Sequence, residues 1–267
     1  MAIVTYTEFM DRSKEIISIP FLCSLVSGLV PQNGWVAHGG AVPTSAANPT
    51  DATVGALGQL INVPITEDMY VIGVEGLITS ISSFALIDRL SHQGSLDATT
   101  TSEQTTNLPL GSGISRYSTA TDKIQAAVQV YTAIGATATT TTIRYTNQAG
   151  VGSRVSQPFV IGGTGFNTAG RWLPICLQDT DAGVQTVEGL THAASTGTAG
   201  NIGLVLYKTL LQGQMKVVGM NPFGANNHNL YTANMDFPIA KAGACLNLVF
   251  RNQNSAAIRG NINLMRV

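Results

Sequence analysis

The sequence predicts an all-β fold, a β-sandwich or jelly-roll-like domain preceded by an extended N-terminal arm that carries a short helix. Within residues 123–147, Ile124, Val128 and Val130 alternate with polar side chains, which is the period of two of a half-buried strand. A long series of similar segments follows, joined by turns rich in Gly, Asn and Thr, as in sandwiches and jelly rolls. No alternation of strands with long helical segments is visible, which disfavours α/β folds.

We predict an arm over residues 1–60 and a sandwich domain over 61–267, with a C-terminal subdomain from about residue 211 left open. Residues 5–18 carry a helix signal, because Thr5 and Glu8 have capping-box spacing and Pro20 stops the run of apolar side chains. This helix either packs on its own domain or docks on a neighbouring subunit. Residues 31–57 are rich in Gly, Ala and Pro without a period, which predicts a linker or an extended segment.

Strands dominate the prediction from residue 69 onward. Residues 123–147 are predicted to form a hairpin around Gly135, with Ile124, Val128, Val130 and Ile143 in the core and a Thr and Gln face towards a neighbour. Residues 91–113 and 221–234 are predicted to be long loops. The other predicted strands are 69–74, 77–90, 157–161, 171–177, 184–192, 202–210, 215–220, 244–251 and 258–267.

The composition indicates a protein that interacts through weakly charged surfaces. Charged residues make up 11% of the chain, well below the roughly 25% of typical globular proteins. This suits a protein that buries much of its surface in an assembly, because charge is depleted at interface cores. The net charge is −1 and the 14 Lys and Arg residues form no cluster, so nucleic-acid binding is not predicted.

Neither export nor membrane insertion is predicted. The apolar run 16–30 follows Arg12 and Lys14 but is broken by Pro20, and it is shorter than the roughly 18 residues that span a bilayer. The three cysteines, Cys23, Cys176 and Cys245, are far apart. This spacing argues against a disulfide framework and favours synthesis in a reducing compartment.

No catalytic, cofactor-binding or metal-binding residue is predicted. The histidines, His38, His92, His192 and His228, lack metal-ligand spacing. Residues 179–183 (DTDAG) resemble the start of a calcium loop but lack its later ligands, so a turn is favoured.

The Gly-rich and acidic motifs do not indicate a phosphate-binding loop or a pair of catalytic carboxylates. Residues 162–165 (GGTG) lack the lysine of a phosphate loop. A glycosidase would need two positioned carboxylates, and no spacing favours any pair among the acidic candidates Asp97, Glu103, Asp179, Asp181 and Glu188. The chain is therefore predicted not to be an enzyme; an esterase or glycosidase ranks below the binding and structural hypotheses.

Several segments resemble a recurring pattern in virion structural proteins of tailed bacteriophages. The resemblance spans roughly residues 89–210, close to half the chain. It implies a particle component without catalytic residues or cofactors, synthesised in the cytoplasm of the bacterial host and located in the virion. The segments are 89–94 (RLSHQG), 105–109 (TTNLP), 116–117 (RY), 130–137 (VYTAIGAT), 145–150 (YTNQAG) and 195–201 (STGTAGN).

The leading hypothesis is a capsid-associated cement or decoration protein that binds the major capsid protein or other virion proteins. A homo-oligomer, with a trimer as the first guess, would suit a symmetric shell. A tail or head–tail connector component is the structural alternative. A carbohydrate-binding or receptor-binding module is the alternative of another class, but it would need exposed aromatic side chains, and Trp35, Tyr117, Trp172 and Tyr231 form no visible stripe.

Overall fold

All regular structure in the described part of the chain is β-strand, which confirms the predicted all-β class. The computed structural model describes residues 16–25, 31–33, 42–43, 65–78, 82–108, 115–118, 121–215, 219–221, 237–252 and 256–266. Its strands are β1 (Ile16–Leu25), β2 (Gln32–Asn33), β3 (Met69–Ile78), β4 (Ser82–Leu96), β5 (Gln104–Leu108), β6 (Gln125–Thr132), β7 (Thr139–Asn147), β8 (Arg154–Val155), β9 (Phe159–Ile161), β10 (Trp172–Pro174), β11 (Val184–His192), β12 (Asn201–Met215), β13 (Gly219–Asn221), β14 (Ile239–Ala240), β15 (Leu246–Asn252) and β16 (Ala256–Arg266).

The strands form three antiparallel sheets. The first has the order β1-β16-β3-β13, with β14 also on β3; the second has the order β10-β6-β12-β4-β15-β2; the third has the order β5-β11-β7-β8, with β9 also on β7. One cluster of buried apolar side chains contains Phe21 of the first sheet, Leu204 of the second and Tyr145 of the third. The sheets therefore share a common core, as expected of a sandwich architecture.

The N-terminal helix prediction is wrong where the structure describes it. Residues 16–18 belong to β1, which pairs with β16 along its whole length; residues 5–15 lie outside the described part. Ile19 and Phe21 are buried whereas Ser18 and Pro20 are exposed, which is the alternation of a strand. Pro20 is tolerated because β1 lies at the edge of its sheet.

The hairpin prediction for residues 123–147 is also wrong. β6 lies in the second sheet and β7 in the third, so the connection through Gly135 crosses between sheets. The backbone of this connection bonds to another loop: the Gly135 N–H donates to the Thr198 carbonyl at 3.2 Å. The predicted burial of Ile124, Val128, Val130 and Ile143 is confirmed.

Other boundaries shift because polar residues are recruited into strands. The predicted loop 91–113 contains the end of β4 and all of β5. The predicted Thr and Gln face is divided, because Gln129 is fully buried whereas Gln125 is exposed. The boundary proposed near residue 211 falls within β12. Strands β1 and β2, from the first 60 residues, pair with β16 and β15.

Candidate functional site

The second sheet curls until its two edges meet. Gln32 of β2 pairs with Phe250 of β15 and also bridges to Arg171, the residue before β10. The Trp172 N–H donates to the Pro31 carbonyl at 2.8 Å. This join encloses the concave face of the sheet, which explains why β6 is buried on both faces instead of one.

An apolar layer lines this concave face. Strands β6 and β12 place alternate side chains there, such as Ala127 and Val205, while Val128 and Leu204 point into the common core. Its largest members are two aromatic rings in edge contact, with ring centroids 5.1 Å apart and planes at 67°. The layer consists of Ile87, Ala127, Trp172, Val205, Tyr207 and Val249.

A buried polar cluster follows the apolar layer along the same sheet. We call Arg89, His92, Gln129 and Tyr131 the Arg89 cluster. The guanidinium donates from Nε to His92 Nδ1 at 3.0 Å and from Nη1 to Gln129 Oε1 at 2.8 Å. Its Nη2 donates to the Tyr131 hydroxyl, and its carbon lies 5.9 Å from the centre of that ring. These bonds replace the water that burial removes from the cation.

The Arg89 cluster was not predicted, although the sequence carries a signal for it. Asp88 and Arg89 interrupt the apolar run FALIDRL, and Gln129 interrupts AAVQVY. Charged residues are almost never fully buried unless they are paired. A charge inside a strand that is apolar on both sides therefore predicts a buried partner, although the sequence does not identify which one.

The His92 ring is held neutral in the folded protein. Burial and the neighbouring Arg89 cation lower the pKa of His92 to about 2. The neutral ring can accept the Nε–H of Arg89 at Nδ1, as the 3.0 Å distance indicates. His92 is thus a structural hydrogen-bond acceptor in this cluster.

The pKa of His92 predicts that stability falls with acid. An unfolded histidine has a pKa of about 6.5 and binds a proton below it, whereas the folded His92, with a pKa of about 2, does not. The unfolded state is therefore favoured progressively as the pH falls below about 6.5. We expect the melting temperature to drop from pH 7 to pH 4, and to drop less in His92→Asn, which keeps an acceptor. Equal pH dependence of the two proteins, measured by circular dichroism, would contradict this assignment.

Asp88 forms a second buried site, next to Arg89 in sequence. Its carboxylate accepts Nε and Nη2 of Arg116 at 3.1 and 2.9 Å, and the Cys245 N–H at 2.8 Å. Burial raises the pKa of Asp88, opposed by the Arg116 charge. The carboxylate ties β4 to the segment before β15 and to residues 115–118, which is a structural role.

The outer face of the third sheet is rich in threonine. We call Thr105, Thr140, Thr142, Thr146 and Thr191 the threonine face; each is exposed or half-buried. The strand registers place Val160 opposite Thr140 and Val155 opposite Arg144. These two valines are 55% and 49% exposed, so the face is extended by apolar surface.

Two of the five acidic candidates meet on this face. Arg144 donates from Nε to Glu103 Oε1 and from Nη1 to Glu188 Oε2, both at 2.8 Å. Thr146 Oγ1 also donates to Glu188 Oε1 at 2.8 Å. The guanidinium bridges the two carboxylates and offsets one of their two negative charges, and this arrangement is an exposed ion-pair network.

Asp181 supports a turn, as the motif DTDAG suggested. Its Oδ1 accepts Asn147 Nδ2 at 2.8 Å, and its Oδ2 accepts the Tyr145 hydroxyl at 2.5 Å and Arg154 Nε at 3.0 Å. Both oxygens are thus engaged in bonds within the protein. Within the described ranges, no group of three or more His, Cys, Asp or Glu side chains could hold a metal ion.

The remaining candidates do not assemble into a site. His192 Nδ1 lies 2.8 Å from Thr141 Oγ1 in the interior, whereas His38 and His228 lie outside the described residues. Trp172 and Tyr117 are buried, so neither offers a sugar-stacking platform; Trp35 and Tyr231 are outside the described part.

Cys176 and Cys245 are free thiols. Among the described residues, no helix is long and apolar enough to cross a membrane.

Comparison with known proteins gives a weak structural likeness. No protein-family model matches the chain, and no curated protein does. Among solved structures, the infectious bursal disease virus VP2 subviral particle has 8% identity over 94% of this chain and 80% of that chain, with a TM-score of 0.20. The structure of infectious bursal virus derived T=1 particles has 9% identity over 94% of this chain and 78% of that chain, with a TM-score of 0.20. The chain is thus weakly similar to viral particle proteins, at a level that supports no functional conclusion.

Proposed function

We propose that the chain is a non-enzymatic virion structural protein, a capsid-associated cement or decoration protein that bridges and stabilises shell subunits. The threonine face is the observation that carries this proposal. It is a sheet surface whose charged side chains, Arg144, Glu103 and Glu188, form one mutually paired network. The phage resemblance of residues 89–210 supports the same class.

Physical chemistry favours the threonine face as a contact surface. Threonine is stiff at χ1, so it loses little side-chain entropy when a partner covers it. Its hydroxyl both donates and accepts hydrogen bonds, and the adjacent Val155 and Val160 add apolar area. Each contact is modest, but repetition over a shell raises the effective concentration of neighbouring contacts. The partner would be the major capsid protein or another virion protein, met by a homo-oligomer such as a trimer.

A charge placed on this face tests the proposal. We expect Thr140→Lys to lower binding to assembled heads by about tenfold, because an unpaired lysine must be desolvated in the contact. Co-sedimentation with heads that lack the protein measures this binding. Thr164→Lys, exposed in the loop after β9, is the matched control and should bind as the unmodified chain. Equal binding of both variants would exclude the threonine face.

The N-terminal residues before β1 offer a second test of the same function. Removing residues 1–60 would delete β1 and β2, so loss of function could then reflect loss of the fold. Removing residues 1–15 leaves β1 intact. We expect this truncation to keep the melting temperature of the isolated protein but to reduce the heat resistance of decorated heads. If heads decorated with the truncated protein resist heat as well as heads decorated with the full chain, residues 1–15 do not take part in the proposed contact.

Location in the particle separates the structural alternatives. Electron microscopy of virions carrying a labelled chain should show the label over the head surface. Label at the tail or at the head–tail junction would replace the cement proposal with a tail or connector component.

A further inference from the structure

Two amide side chains lie fully buried on the concave face of the second sheet. Asn247 of β15 is opposite Ile87, and Gln129 of β6 is opposite Trp172; both of these partners belong to the apolar layer of that face. Among the described residues, five buried side-chain atoms have no hydrogen-bond partner, and three of them belong to these two amides. The three atoms are Asn247 Nδ2, Asn247 Oδ1 and Gln129 Nε2.

Neither amide gains a partner if its oxygen and nitrogen exchange places. Gln129 Oε1 accepts from Arg89 Nη1 at 2.8 Å, and a guanidinium only donates, so the oxygen of this amide must face Arg89. In Asn247 neither amide atom has a partner in the described part of the chain, so exchanging them changes nothing. A buried amide that forms no hydrogen bond is costly. In native proteins such groups commonly bind internal water, which makes about three hydrogen bonds.

The Arg89 cluster lies between the two amides. The sheet order places β12 and β4, which carries Arg89, between β6 and β15. The Arg89 N–H donates to the carbonyl of Cys245 at 2.9 Å, two residues before Asn247. Diagonal neighbours on adjacent strands are within reach of a long side chain. The two amides therefore flank the Arg89 cluster on either side, inside the curled sheet.

We infer that the interior of the second sheet binds internal water beside the Arg89 cluster, with the three amide atoms of Asn247 and Gln129 as its protein ligands. Water matches this set because it both donates and accepts hydrogen bonds, whereas a metal ion needs acceptors alone and a simple anion needs donors alone. Both amides are 0% exposed, which favours a ligand of this small size. The bound water replaces the hydration that these groups lose when the two edges of the sheet meet.

Magnetic relaxation dispersion of the water signal tests this inference, because it counts water molecules held inside a protein for longer than the protein takes to tumble. Asn247→Leu should hold at least one such water fewer than the unmodified full chain. Ile87→Leu, a volume-conserving change opposite Asn247, is the matched control and should hold the same number as the unmodified chain. Equal counts in all three proteins would overturn the inference. Equal losses in the two variants would also overturn it, since repacking alone would then explain the loss.

A measurement on the unmodified chain decides the case if Asn247→Leu does not fold. In a rotating-frame Overhauser NMR spectrum, contact with bound water and proton exchange with solvent give cross-peaks of opposite sign. The side-chain amide protons of Asn247 and Gln129 should show the sign of contact with bound water. Those of Gln125, which is exposed on the same strand as Gln129, should not. Absence of the contact signal at either buried amide would overturn the inference.

Discussion

Replacing Asp88 by alanine is expected to lower the free energy of unfolding by about 3–5 kcal/mol. The carboxylate is fully buried and accepts Arg116 at 2.9 and 3.1 Å and the Cys245 N–H at 2.8 Å. Its removal leaves an almost buried guanidinium, with an exposed side-chain fraction of 11%, and a buried backbone donor without that acceptor. Removing one member of a buried pair costs more than the pair itself contributes, because the other charge stays desolvated.

Urea unfolding followed by circular dichroism measures this loss. Asp88→Asn, which keeps an acceptor oxygen of similar shape, should cost about 2 kcal/mol. Glu103→Ala is the matched control, since it also removes a carboxylate from an arginine, but at the surface. Exposed ion pairs contribute about 0–1 kcal/mol, so this variant should unfold close to the unmodified chain. Equal losses for Asp88→Ala and Glu103→Ala would show that the buried pair does not stabilise the fold.

Gly135→Ala is expected to destabilise the fold by about 3 kcal/mol, the upper range for overpacking a tight interior. A Cβ at this position would overlap the carbonyl oxygen of Thr196 and lie 2.7 Å from the Thr198 nitrogen. Both obstacles are backbone atoms, which cannot turn aside as a flexible side chain can. The added methyl group would separate the 133–138 connection from the 196–198 loop and break the Gly135–Thr198 hydrogen bond.

A second glycine separates this clash from backbone strain. Gly150 has a φ of 80°, and a Cβ there would meet nothing within 4 Å. Gly150→Ala should therefore lower the free energy of unfolding by about 1 kcal/mol, the cost of placing alanine in the left-handed conformation. In thermal unfolding, the melting temperature of Gly135→Ala should lie well below that of Gly150→Ala. The reverse order would show that the connection between the sheets relaxes without cost.

Residue pattern was enough to predict several strands and the core positions of residues 124–143, because burial on one face of a strand imposes a period of two. Val184–His192 was predicted with the bounds that the structure gives to β11. The same pattern was visible in Ile17, Ile19 and Phe21, but the capping-box spacing and Pro20 outweighed it there. The prediction failed because proline tolerance depends on lying at a sheet edge, which is a tertiary property.

Strand partners could not be predicted in the same way. The short connection through Gly135 suggested a hairpin, yet β6 and β7 belong to different sheets. The alternation of apolar and polar residues shows which side chains of a strand face inwards, but it does not show which other strand lies beside it in the sheet. Gln129 shows the consequence: its position predicted an exposed face, but the curl of the second sheet makes it a buried acceptor for Arg89.

The sequence by itself determined the all-β class, the core positions such as Val128 and Ile143, and a weakly charged surface, because these follow from local alternation and composition. Only the tertiary structure decided that Arg89 and Asp88 are buried, that Glu103 and Glu188 meet on Arg144, and that the two edges of the second sheet meet at Gln32. Each of these depends on residues tens to hundreds of positions apart, and such neighbours are fixed by sheet pairing and packing, which no local pattern encodes.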